Sequence, residues 1–130
     1  MRKRIADSGA AQSFKTGPGG IYDLDFLLGL LEAGAALQAA GKQLPQRLEA
    51  LLERELLSPE QAGALLHAAN LFRRVEHAVR MVEGRSRMWL PESDRLRASV
   101  EKILECSDLD GALRAEMGRV RSMFVSFFRD

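Results

Sequence analysis

"LLSPEQAGALLHAANLFRRVEHAVRMVEG", residues 56–84, decides the fold class of this chain. Ser58 stands where a helix N-cap belongs, Pro59 suits the first helical position, and Gln61 is placed to reach back as the far half of a capping box. Behind them Leu65, Ala69, Phe72, Val75, Val79 and Val82 recur at alternating steps of three and four, the period of one helix face. Gly84 then offers a stop. The spacing predicts a long helix over 59–83.

The flanking segments read the same way. After Pro45 a short helix runs to about residue 56 with Leu48, Leu51 and Leu52 inward. Residues 21–39 form the most hydrophobic segment: Leu24, Leu27, Leu28, Leu31 and Ala35 mark one face, and Phe26, Leu30 and Leu37 another. Two apolar faces predict a central helix covered from both sides, ending at Gly41. Downstream, "MWLPESD" is a loop in which Met88 and Trp89 are expected to lie over the core. It leads to a helix carrying Leu96, Val100, Ile103 and Leu104. Ser107 or Asp108 caps a last helix with the stripe Leu109, Leu113, Met117, Val120, Phe124 and Phe127. Residues 1–7 read as a helix end and residues 8–20 as a loop. No segment alternates long enough to make a strand. The expectation is an all-α fold, an antiparallel bundle of four to six helices, in one domain: residues 1–20 an N-terminal segment and Gly-rich junction loop, residues 21–130 the bundle.

Bulk composition narrows the function classes. A chain of 130 residues, 46% hydrophobic and 28% charged, is an ordinary globular domain with one core. A net charge of +1 gives no global field for nucleic acid or a membrane surface. Cys106 is the only cysteine, so it reads as a structural thiol in a reducing compartment. "FLLGLLEAGAAL", interrupted by Glu32, is too short to span a bilayer, and no leader is apparent, so a cytoplasmic protein is expected.

Two constellations remain. "FKTGPGGIYDLDF", residues 14–26, has the glycines of a phosphate cradle but not its order. A Walker loop needs its lysine after the glycines and a strand before them, whereas Lys15 precedes Gly17, Gly19 and Gly20. Asp23 and Asp25 in the first helical turns suit the helix dipole and would repel a phosphate. Two apart on a helix, they diverge by roughly 200°, a poor metal pair. The plain reading is a tight turn that needs glycine geometry. In the second constellation, Arg73, Glu76, His77 and Arg80 fall three and four apart, so they share a face and could form a charged ladder. His77 has no second histidine or cysteine at ligand spacing. No nucleophile with a general base can be assembled, and neither a catalytic residue nor a metal site is assigned.

Together these stretches resemble a known family. "FKTGPGGIYDLDF" is similar to the Lys-x-Gly-x-Gly-Gly-Ile-x-Asp-Ile-Glu-Phe element of glutamine synthetase adenylyltransferases, and "LFRRVEHAVRM" followed by "LP" to their Leu-Arg-x-Val-Glu-His-Arg-Leu-Gln segment and later Leu-Pro. Lys15, Gly17, Gly19, Gly20, Asp23 and Phe26 match the first element; Arg73, Glu76 and His77 match the second. Asp25 stands where the family has Glu, Gly29 where it tends to have Gln, and Arg80 where it has Leu or Gln.

The resemblance implies a helical domain directly after a nucleotidyltransferase domain in cis. The parent enzyme would use ATP and Mg²⁺ to move AMP to or from glutamine synthetase in the control of nitrogen metabolism, under a PII-type signalling protein. The Gly-Ser and paired aspartates of that catalytic domain have no match here, so the chain alone is expected to bind no cofactor. Lys15, Gly17, Gly19, Gly20, Asp23, Asp25, Arg73, Glu76 and His77 then become candidates for a domain interface or a nucleotide-proximal surface. The alternative is a stand-alone helical interaction module without enzymatic activity.

Overall fold

The computed structural model describes residues 13–38, 41–87 and 89–128 of the chain. Five helices lie in that span: α1 (Ile21–Gly34), α2 (Leu44–Glu53), α3 (Pro59–Glu83), α4 (Asp94–Leu104) and α5 (Leu109–Phe128). The fold is all-α, a small helical bundle. The helix end expected at residues 1–7 and the part of Met88 lie outside the described residues.

The longest helix begins as its residue types dictate. Gln61 N–H donates to the Ser58 hydroxyl at 3.1 Å, and Ser58 N–H donates to Gln61 Oε1 at 2.9 Å, which satisfies two of the donors that a helix start leaves open. Gly84 ends α3 in the left-handed conformation at φ 79°. Leu65, Phe72, Val75 and Val79 of the expected stripe are buried. Asp108, not Ser107, caps α5: Gly111 N–H donates to its Oδ1 at 3.1 Å. Gln43 N–H donates to Gln46 Oε1 at 3.0 Å at the start of α2, a second capping arrangement.

The central helix is α3 rather than the segment with two apolar faces. It packs against every other helix, and Leu65, Ala68, Val75 and Val79 are fully enclosed along it. Each such leucine or valine contributes roughly 2 kcal/mol by leaving water. On α1 only the face of Leu24, Leu27 and Leu28 is covered, while Phe26 is 57% exposed. This helix also stops seven residues short of Gly41. Ala36 adopts φ 57° and Leu37 N–H donates back to the Glu32 carbonyl at 2.8 Å, a Schellman-type close that turns Leu37 onto the core. Trp89 does not cover the core either: Leu90 fills that place, and the indole is 46% exposed. Ile103, expected inward, is also largely exposed.

Polar contacts set how the helices run. Arg74 Nη2 donates to the Leu104 carbonyl at 3.2 Å, so α3 and α4, joined by the loop before Asp94, lie antiparallel. Arg97 holds that loop through the Pro91 carbonyl at 2.9 Å and reaches Asp110 on α5 at 2.9 Å. By contrast α1 and α5 run side by side in the same direction: the turn at Gly19 lies on Met117, Asp23 faces Arg121, and Phe26 stacks on Phe124. Among the described residues no helix is long and apolar enough to cross a membrane.

Candidate functional site

The glycine turn forms its own hydrogen-bond shell. Ser13 and Phe14 are buried beneath it, and Ser13 Oγ accepts from the N–H groups of Lys15 at 3.1 Å and Thr16 at 2.9 Å. Gly20 N–H donates to the Gly17 carbonyl at 2.9 Å, Ile21 N–H to Phe14 at 3.0 Å and Tyr22 N–H to Lys15 at 2.9 Å. Gly19 N–H donates to Asp23 Oδ2 at 2.8 Å. These amides open α1, and they are what an anion at a helix N-terminus would need. All four are committed within the chain, and a carboxylate already occupies the anion position. The turn is a joint rather than a phosphate cradle.

Lys15 carries the joint across to α3. Its Nζ lies 2.8 Å from Glu76 Oε2, with side-chain exposures of only 14% and 27%. The two sequence constellations, far apart in the chain, therefore meet at one ion pair. Gly19, at φ 83°, presses its backbone against the Met117 carbonyl on α5, where any β-carbon would overlap that oxygen. Arg121 of α5 approaches Asp23 at 3.7 Å. Gly20 is equally confined, since a β-carbon there would stand 2.5 Å from the Phe14 carbonyl oxygen. Gly17 is half-buried within the same turn.

The charged ladder does not form. Glu76 turns to Lys15, Arg73 donates to Asn70 Oδ1 at 3.4 Å, and Arg80 donates to the Ser86 hydroxyl at 3.1 Å. His77 is exposed on the same face. A partly buried lysine supplied by the turn is a better partner for the carboxylate than two solvated arginines that must be immobilised to reach it. Asp25 also leaves the group. It faces α2, where Arg47 Nη1 lies 3.2 Å from its Oδ1.

Two buried carboxylates were not singled out by residue type. Glu32 is 5% exposed and receives Arg47 in a fork, Nε to Oε2 and Nη2 to Oε1, both at 2.8 Å. That pairing, above all the hydrogen bonds that Arg47 donates to Glu32, raises the Arg47 guanidinium further above its already high range. The signal was present: an acid inside the longest apolar stretch must either break it or bring a cation inside. Glu116 of α5 is also 5% exposed, with His67 Nδ1 at 2.9 Å and Arg119 at 3.4 Å on Oε2, and among the described residues its Oε1 has no partner. It interrupts the stripe between Leu113 and Met117 as Glu32 interrupts its own.

Chemically these are pairs that fasten helices. Among the described residues no three His, Cys, Asp or Glu side chains converge as a metal site. Asp23 and Asp25 diverge, one to an amide and the other to Arg47, so a nucleotide-bound Mg²⁺ finds no fitting donor set in the turn. The family model described as GlnD PII-uridylyltransferase matches residues 2–128.

Proposed function

The chain belongs to the GlnD PII-uridylyltransferase family, and from this we propose that it is the helical, non-catalytic domain of a nucleotidyltransferase. The observation that carries this reading is the Lys15–Glu76 pair, through which both motif segments meet in a structural joint. Asp23, Asp25 and Glu76 are engaged by the Gly19 amide, Arg47 and Lys15 in turn, so the segments brace the bundle instead of reacting. The exposed Tyr22, Phe26 and Phe128 support it too, as an apolar surface left over for an adjoining domain.

The finer reading rests on the resemblance of residues 14–26 and 71–81 to glutamine synthetase adenylyltransferases. In it, a nucleotidyltransferase domain in cis supplies the Mg²⁺ and ATP sites of the parent. The enzyme moves AMP to or from glutamine synthetase in the cytoplasm under a PII-type protein. Lys15, Gly17, Gly19, Gly20, Asp23, Arg73, Glu76 and His77 then act by holding the helical domain in shape beside the catalytic one, with Arg73 and His77 the solvent-facing members.

The test is to supply a nucleotidyltransferase domain of the family in trans, with ATP or UTP radiolabelled at the α-phosphate and either glutamine synthetase or a PII-type protein as acceptor. Labelling of glutamine synthetase by ATP that rises when this chain is added supports the reading. Labelling of the PII-type protein by UTP instead keeps the helical-domain role and replaces the adenylyl assignment. No effect of the chain on either acceptor rejects both and leaves the stand-alone interaction module.

A further inference from the structure

The chain's net charge of +1 is unevenly spread. Residues 61–87, most of α3 and the bend after it, carry five arginines against two glutamates. Both acids are already taken, Glu76 by Lys15 at 2.8 Å and Glu83 by Arg87 at 3.2 Å. The other four arginines have no carboxylate partner among the described residues. Arg73 donates to the Asn70 side-chain oxygen at 3.4 Å, Arg74 to the Leu104 carbonyl at 3.2 Å and Arg80 to the Ser86 hydroxyl at 3.1 Å, all uncharged acceptors. Arg47, Arg97 and Arg121, by contrast, each reach an acid. Glu92 and Asp94, exposed acids of the turn that follows, pair with none of the four.

Helix geometry gathers these cations. At about 100° per residue, Arg73, His77 and Arg80 fall within about 60° of one another, over roughly 10 Å of helix. All three are exposed, while Phe72, Val75 and Val79 between and beside them are enclosed, so the stripe is the side of α3 turned from the core. Arg85, also exposed, follows just past Gly84. Arg74 leans toward α4 and stands at the margin. Guanidiniums with donors to spare are the groups that recognise carboxylates through paired N–H···O bonds.

The composition of the stripe chooses its occupant. Met81, 71% exposed, is the one large apolar side chain that α3 exposes, so burial of apolar area is a minor part of any association here. Phe72, the helix's only aromatic, is 1% exposed and leaves no platform on which bases would stack. What remains is a row of positive charge, and its complement is a row of carboxylates at the same pitch. A helix with acids at i, i+4 and i+7 presents such a row on one face.

We infer that the exposed stripe of Arg73, His77 and Arg80, with Arg85 beyond it, is a docking surface for the acidic face of a partner polypeptide's helix. The inference concerns this chain's surface alone and does not depend on the nucleotidyltransferase reading.

The probe is a fluorescein-labelled, helix-stapled peptide with Glu at i, i+4 and i+7 on an Ala/Gln background. It is compared with an isomer whose three Glu point in different directions and with a peptide carrying Lys in their place. Fluorescence anisotropy on the full chain, at an ionic strength of about 0.01 M, is expected to show saturable binding of the in-line Glu peptide. The scattered isomer should bind at least about fivefold more weakly, and the Lys peptide not at all. Raising the ionic strength to about 0.15 M should weaken the in-line peptide by about tenfold. Arg80→Glu should cost about tenfold, while Arg114→Glu, the same change of net charge at an exposed site on α5, should change binding by less than about twofold. Circular dichroism melts separate lost binding from lost folding, and Arg73→Gln/Arg80→Gln gives a milder variant of the same stripe. No saturable binding, equal binding of the in-line and scattered peptides, or equal losses from Arg80→Glu and Arg114→Glu in folded variants overturns the inference. So does tighter binding of a single-stranded oligothymidylate than of the Glu peptide, because the stripe would then be a phosphate surface.

Discussion

Lys15 Nζ stands 2.8 Å from Glu76 Oε2, so one ion pair joins the turn that opens α1 to the middle of the central helix α3. Both side chains are mostly but not fully withdrawn from water. Lys15→Ala and Glu76→Ala should therefore each lower stability by about 1 kcal/mol, above a surface pair and below a fully buried one. Urea titration of the two single variants and the double should give a favourable coupling energy. Strict additivity would mean that the pair contributes nothing.

Gly19 and Gly29 should respond oppositely to the same added methyl. At Gly19 a β-carbon requires a left-handed residue and runs into the Met117 backbone, which cannot swing aside as a side chain could. Gly19→Ala should cost about 3 kcal/mol or more, because α1 and α5 must separate to admit it. At Gly29 a β-carbon meets none of the described residues within 4 Å, so Gly29→Ala should stabilise α1 by about 0.5–1 kcal/mol. Thermal melts of the two variants settle the contrast.

Among the described residues Arg47 is the only cation forked onto buried Glu32, and removing it strands a carboxylate that is 5% exposed. Arg47→Met should cost about 3–5 kcal/mol, and the double variant Arg47→Met/Glu32→Leu should recover most of it. A double variant no more stable than Arg47→Met would show that the ion pair is not the reason for the loss.

Glu116 has a weaker claim on its place. Its partners His67 and Arg119 have side chains 69% and 52% exposed, and its Oε1 receives no hydrogen bond from the described residues. Glu116→Met keeps the volume and removes an incompletely satisfied buried charge, so it should be neutral or stabilising by about 1 kcal/mol. Guanidinium unfolding midpoints compare it with the parent chain.

Local signals in the sequence were enough for the existence of the helices and for both ends of α3. Ser58, Pro59 and Gln61 define a start from neighbouring residues alone, and of the expected stripe Leu65, Phe72, Val75 and Val79 are buried, while Ala69 and Val82 are half-buried and Ala68 takes the enclosed place. What was not legible depended on partners far along the chain. A two-faced apolar pattern on α1 says that both faces avoid water, not that this chain covers both, and Phe26 is left for something else. Spacing put Glu76 within reach of Arg73 and Arg80, but a tertiary lysine decided its pairing. Arg47 carried no mark of its destination beyond the presence of an acid in an apolar run. For the candidate site, the Walker reading failed on residue order, and the turn's hydrogen bonds supply the positive account: a hinge-pin for three helices.

The central claim is that this chain braces a nucleotidyltransferase and performs no transfer of its own. The most direct measurement incubates the purified chain alone with Mg²⁺, α-labelled ATP or UTP, and glutamine synthetase or a PII-type protein, then follows label on the acceptor and pyrophosphate release. The account predicts no transfer and no pyrophosphate above the protein-free background with either nucleotide. Turnover by the chain alone, abolished by Asp23→Asn in a folded variant, would contradict it and make the glycine turn a catalytic centre.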